Sequence, residues 1–84
     1  METKNILKKY IEEVLLENNI HIDFETQLID EELLDSLSIA QLISFIEDQF
    51  DIIIDDFEFD ISNFNNINSL NDLINRNIKN KNFV

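Results

Sequence analysis

Ile39, Leu42, Ile43, Ile46 and Phe50 return at intervals of three and four, with Gln41, Ser44 and Asp48 set between them. That period belongs to an α-helix with one buried side, so the stretch predicts an amphipathic helix from residue 35 or 36 to about residue 50. A second such pattern lies upstream. Ile6, Leu7, Tyr10, Ile11, Val14 and Leu15 recur at helical spacing, and Lys8 and Lys9 each stand four residues before a glutamate, Glu12 or Glu13. These predict a helix over about residues 3–17, ended by Asn18 and Asn19.

The sequence contains neither glycine nor proline, so element boundaries rest on periodicity and on Ser, Thr, Asn and Asp at capping positions. Residues 19–34 mix apolar and acidic side chains without a sustained period. They read as a long ordered connection pinned by Ile22, Phe24, Leu28 and Ile29. The run "DIIIDDFEFDI" is rich in strand-favouring Ile and Phe, but no second strand exists to pair with it, and it reads as loop. A helical turn over residues 62–65 and a last helix from residue 69 to about 79 follow. In that helix Ser69 and Asp72 have capping-box spacing, Leu70, Leu73, Ile74 and Ile78 form the apolar stripe, and Lys79 and Lys81 suit the C-terminal end. The asparagine-rich tract over residues 63–82 reads as compositional bias. The expected fold is all-α: one domain over residues 1–84, with three long helices and a short third one.

A chain of 84 residues has little depth in which to enclose a substrate, which favours a binding or carrier role over catalysis. Its formal charge of −12 repels nucleic acid and anionic lipid and predicts partners with basic surfaces. With no cysteine there is no disulfide framework or thiolate metal site, and a reducing compartment, the cytoplasm, is expected. The first residues alternate charge with apolar side chains and read as neither signal peptide nor membrane span. A calcium-loop pattern beginning at Asp56 fails where Ile61 replaces the turn glycine and Ile67 the bidentate glutamate, so no metal site is expected.

Ser36 stands where the acidic segment gives way to the apolar pattern. At about 100° per residue, with Ile39 facing inward, Ser36 lies on the flank while Leu37, Gln41, Ser44 and Asp48 point outward. Leu37 is therefore an exposed leucine beside a helix-starting serine, the kind of side chain a partner grips. Ser36 has three readings. It suits an N-cap, accepting a bond from the second or third helical amide. As a nucleophile it needs a base in reach, and the only histidine, His21, lies in the long connection. As an attachment point it would place a phosphodiester at the positive end of a helix. Asp35 would repel such a group, and makes better sense if its carboxylate serves the modifying enzyme, for instance by helping to bind its metal.

The stretch "LLDSLSIAQLISFIEDQFDIIIDDFEFD" resembles the acyl carrier protein family, small acidic helical bundles that carry acyl groups as thioesters on a phosphopantetheine arm. The resemblance spans essentially the whole chain. Its core is the triplet Asp35, Ser36, Leu37 opening a helix, followed by Leu42, Ile46, Glu47 and Phe50 in the family's order. It implies a four-helix bundle of acyl-carrier type, with no catalytic residues and with 4′-phosphopantetheine from coenzyme A attached covalently to Ser36, flanked by Asp35 and Leu37. It further implies a docking face of Leu37, Gln41, Ser44, Glu47 and Asp48. The implied partners are a phosphopantetheinyl transferase, an acyl- or aminoacyl-loading enzyme, and downstream acyl-transfer enzymes with basic docking surfaces. Neither nucleic acid nor membrane insertion is expected, and the protein is expected to be a monomer.

The segments "DSLSIAQLI" and "EFDISNFNN" are more similar to D-alanyl and other stand-alone carriers than to the fatty acid member, which usually has glutamate in place of Gln41. Leu33 departs from a glycine common before the triplet, and Asp55 from a proline common after the helix. The bulky residues Ile39, Leu42, Ile43, Ile46, Phe50, Phe59 and Phe64 predict a tightly filled interior and hence a small acyl or aminoacyl cargo. The alternative is an unmodified acidic helical module that binds a basic protein partner, with Ser36 serving only as a cap.

Overall fold

The computed structural model describes residues 3–81, apart from the side chains of Asp56 and residues 79–81. Its elements are α1 (Thr3–Tyr10) running into a π-helical turn (Ile11–Leu15), α2 (Ser36–Phe50), a 3-10 turn (Asp56–Glu58), α3 (Ile61–Phe64) and α4 (Ile67–Lys81). No strand occurs among the described residues. The all-α architecture with a short third helix is as the sequence predicts; the boundaries differ for local reasons.

The first helix changes pitch before it ends. Leu16 N–H donates to the Ile11 carbonyl at 2.8 Å and Asn18 N–H to the Glu12 carbonyl at 2.7 Å, bonds that span five and six residues. Glu17 and Asn18 then turn left-handed, with φ of 53° and 62°, so the helix stops short of residue 17. The extra residue per turn also rotates the buried face. Val14, expected in the apolar stripe, is 55% exposed, and Leu16 is buried in its place.

α4 forms the centre of the bundle and packs against α1, α2 and α3. Its Ile67, Leu70, Leu73 and Ile74 are wholly buried, each contributing about 1.5–3 kcal/mol by removal from water. In α2, Leu42 and Ile46 are wholly buried, whereas Ile39, Ile43 and Phe50 are only partly so. α4 starts two residues before the expected Ser69. Asn66 Oδ1 accepts the Ser69 N–H at 2.8 Å, so Asn66 is the cap and the Ser69–Asp72 capping box does not form. The side chains of Lys79 and Lys81 lie outside the described residues.

The long connection is ordered as expected, with Ile22 and Leu28 buried and Phe24 and Ile29 half-buried. What fastens it comes from the asparagine tract, which is structural and not mere bias. Asn65 Oδ1 accepts the N–H groups of Ile29 (3.0 Å) and Asp30 (3.2 Å), and its Nδ2 donates to Asp30 Oδ2 at 3.0 Å. The Asn65 carbonyl accepts the Leu28 N–H at 2.6 Å. Asn63 Nδ2 donates to the Glu58 carbonyl, and Asn77 Nδ2 to the Leu73 carbonyl, both at 2.9 Å.

After α2, Asp51 takes a left-handed conformation (φ 53°), and Ile52 and Ile54 then lie inward with Ile53 outward. This alternation is strand-like, but the Ile54 N–H donates to Glu47 Oε2 at 3.0 Å and not to a neighbouring strand. The segment is a loop, as predicted, closed by the 3-10 turn.

Candidate functional site

The start of α2 is built by Asp35. Its backbone is extended and its Oδ1 accepts the Ser38 N–H at 2.9 Å, so Asp35 is the N-cap and Ser36 the first residue inside the helix. This overturns Ser36 as the cap. The Ser38 amide, and after it the Ser38 hydroxyl, hold the Asp35 carboxyl below the usual carboxylate range, so it is ionised at neutral pH. Its negative charge is already directed at the helix end, where the dipole favours it.

Upstream, Leu34 is buried and its N–H donates to the Leu28 carbonyl at 3.1 Å. The cap therefore follows from a fixed point in the core. Beyond it Asp35, Ser36 and Leu37 are all exposed, Leu37 by 69%. His21 is exposed too and faces Glu12, with Nδ1 3.8 Å from Oε2. Its charged neighbour is a carboxylate of the π turn, which gives the nucleophile reading no support.

Gln41, Ser44 and Asp48 are exposed on α2, as the helix phase predicts. Glu47 differs from them. It is half-buried, and its carboxylate accepts the Ile54 N–H, which corrects its grouping with an exposed docking face: it fixes the loop after α2. Phe59, expected in the interior, is 50% exposed, because the segment carrying it passes over the surface.

Sequence reasoning missed a second apolar feature. Ile53 (79% exposed), Phe57 (90%), Phe59 and Ile61 all face solvent within nine residues, interleaved with Asp55, Glu58 and Asp60. The signal available was the run of large apolar residues after Phe50 with no partner strand to cover them.

A family model described as the phosphopantetheine attachment site matches residues 5–76, from α1 through most of α4 and including Ser36. The chain belongs to this family, that of the acyl carrier proteins. No curated protein and no solved structure matches the chain. Carrier domains of this kind are not catalysts; they hold 4′-phosphopantetheine and work with phosphopantetheinyl transferases and acyl-handling enzymes.

The residues present fit that group. The first turn of α2 offers an exposed hydroxyl at Ser36, with exposed neighbours on both sides and the capping bond already satisfied by Asp35. Bound there, phosphopantetheine would supply a thiol able to carry an acyl group as a thioester, and Ser36 at the head of α2 would be the residue that holds it. No helix among the described residues is long and apolar enough to cross a membrane, and no group of three or more His, Cys, Asp or Glu among them is placed to hold a metal ion.

Proposed function

We propose that the chain is a single carrier domain that bears its phosphopantetheine on Ser36 Oγ and presents a small acyl or aminoacyl group to successive enzymes. The observation that carries this reading is the exposed Ser36 hydroxyl at the first position of α2, freed from capping by Asp35 and followed by the exposed Leu37. Asp35 and Leu37 are the contacts for the modifying transferase. Leu37, Gln41, Ser44 and Asp48 form the α2 face for partners with basic docking surfaces, and Ile53, Phe57 and Ile61 add an apolar anchor. The tightly closed interior supports a small cargo: Leu42, Ile46, Phe64, Ile67 and Leu73 are 0–3% exposed, so a long chain would have to part well-packed side chains. The domain acts as a monomer in the cytoplasm.

The test is incubation with a phosphopantetheinyl transferase and coenzyme A, read by intact mass and peptide mapping. One phosphopantetheine on Ser36, and none on the Ser36→Ala variant, is the expected result. Modification at Ser38 or Ser44, or none with several transferases, refutes the assignment and leaves an unmodified acidic interaction module.

A further inference from the structure

α1 and α2 approach each other less closely than either approaches α4, and an open groove runs between them. One part of it, about 310 Å³, is lined by Ile6, Tyr10, Val14 and Phe45, together with Lys9, Glu13 and Gln49. A second hollow, lined by Tyr10, Val14, Ala40, Gln41 and Ser44, shares Tyr10 and Val14 with the first. The two therefore adjoin at these residues. The Tyr10 and Phe45 rings stack at 3.9 Å with planes 11° apart, and Tyr10 Oη donates to the Gln41 carbonyl at 3.5 Å, so the two helices are bridged at a fixed separation. The π turn is what leaves Val14 exposed here, and such turns often mark functional positions.

Ser36, Ala40 and Ser44 form a row of short side chains one helical turn apart, leading from the first turn of α2 to the second hollow. Ser36 and Ser44 are about 12 Å apart along the axis at 1.5 Å per residue and about 80° apart around it, a span within reach of an extended phosphopantetheine, whereas Phe45, nine residues on, lies half a turn round α2 from Ser36 and is reached only through the second hollow. We propose that this groove, and not the interior between α2, α3 and α4, receives the far end of the prosthetic group and a short apolar acyl group carried on it. The inference rests on Ser36 being the attachment site. Entering the interior would break existing packing, whereas the groove is already open and covering Val14 and Ile6 removes apolar surface from water. The part beside Phe45, at about 310 Å³, lies at the low end for ligand sites, which limits the acyl length. An aminoacyl ammonium would meet Glu13 but also Lys9, and gains less from walls of Ile6, Val14 and Phe45.

The experiment loads isotope-labelled protein, through a transferase, with phosphopantetheine bearing acetyl, alanyl or octanoyl groups, and confirms each load by intact mass. Octanoyl should shift the amides of Ile6, Val14, Phe45 and Gln49 and give nuclear Overhauser contacts from the acyl chain to Val14 and Phe45. Val14→Gln and Ala40→Gln, at exposed positions, should load normally and lose those contacts. Contacts to Leu42, Ile46 or Leu73, shifts confined to residues 35–37, or equal groove shifts from alanyl and octanoyl would each overturn the proposal while leaving the carrier assignment standing. An unchanged mass would instead overturn the attachment reading, and this inference with it.

Discussion

Replacing Asn65 by alanine tests how the long connection is held. The substitution removes three hydrogen bonds, to the N–H groups of Ile29 and Asp30 and to the Asp30 carboxylate, while the Asn65 carbonyl keeps its bond to Leu28 N–H. At about 0.5–1.5 kcal/mol net per bond, and with the two at exposed Asp30 near the lower end because water replaces them, the loss is about 2 kcal/mol. For a domain of this size that lowers the melting temperature by roughly 8–16 °C. Thermal and urea melts read the loss, and amide exchange should quicken at Ile29 and Asp30. Asn65→Asp keeps the acceptor but turns the bond to Asp30 into a contact between two carboxylates, so it should also destabilise, and adding Asp30→Asn should recover stability by restoring a donor to the pair. An Asn65→Ala variant within about 0.5 kcal/mol of the parent would show that solvent replaces these bonds freely and that apolar burial of Ile22 and Leu28 alone orders the connection.

Ser36→Ala should abolish loading yet change stability in a urea melt by less than about 0.5 kcal/mol, because Asp35 supplies the cap; a loss near 1 kcal/mol would mean that the hydroxyl caps after all. Leu37→Ala should likewise cost under about 0.5 kcal/mol while slowing transferase loading, whereas a loss above about 2 kcal/mol would make it a core residue. Glu12 has its pKa lowered, first by the Ile22 N–H, against an opposing effect of burial, and further by Lys8. A depressed folded-state pKa gives stability that is present above the unfolded value of about 4.3 and lost as pH falls through the folded one, so Glu12→Gln, which keeps the acceptor but does not titrate, should flatten the acid branch of stability against pH. An unaltered acid branch would assign that loss to other carboxylates. Glu17→Gly should raise stability by about 1 kcal/mol through relief of the left-handed strain, and Glu17→Ala should not.

The parts of the fold visible in the sequence are those governed by a repeating pattern. The stripe from Ile39 to Phe50 fixed α2 and the outward direction of Leu37, and Leu70, Leu73 and Ile74 fixed the buried side of α4, because packing rewards the same positions at every turn. The helix ends were less visible, since several residue types can do the same work there. The start of α2 offered Asp35 and Ser36 as adjacent acceptors, and only backbone geometry decides for Asp35. Ahead of α4 the competing acceptors were Asn66 and Ser69, and the helix-start bond belongs to Asn66, which accepts the Ser69 N–H. The π turn had no signal, because Val14 is as good a stripe residue as Leu16 until one extra residue enters the turn. Likewise Glu47 and Asp48 are adjacent acids of equal charge, and what separates them is the Ile54 N–H that arrives from beyond the helix.

The acidic composition has two distinct causes in this chain. Glu12 holds Ile22, Asp23 holds Glu25, Asp35 holds Ser38, Glu47 holds Ile54 and Asp60 holds Ser62, each through a carboxylate oxygen on a backbone N–H at 2.7–3.1 Å. With no glycine or proline to shape the loops, carboxylates and carboxamides satisfy the amides that turns and helix starts leave open. The solvent-facing acids without such a bond here, among them Glu13, Asp48 and Asp55, supply field and not shape, and in the proposed function they attract basic partners. Charge near −12 therefore does not measure the strength of docking. A variant that neutralises acids of the first kind loosens the scaffold that presents Ser36, whereas one that neutralises the second leaves the scaffold and weakens only the attraction between carrier and enzyme.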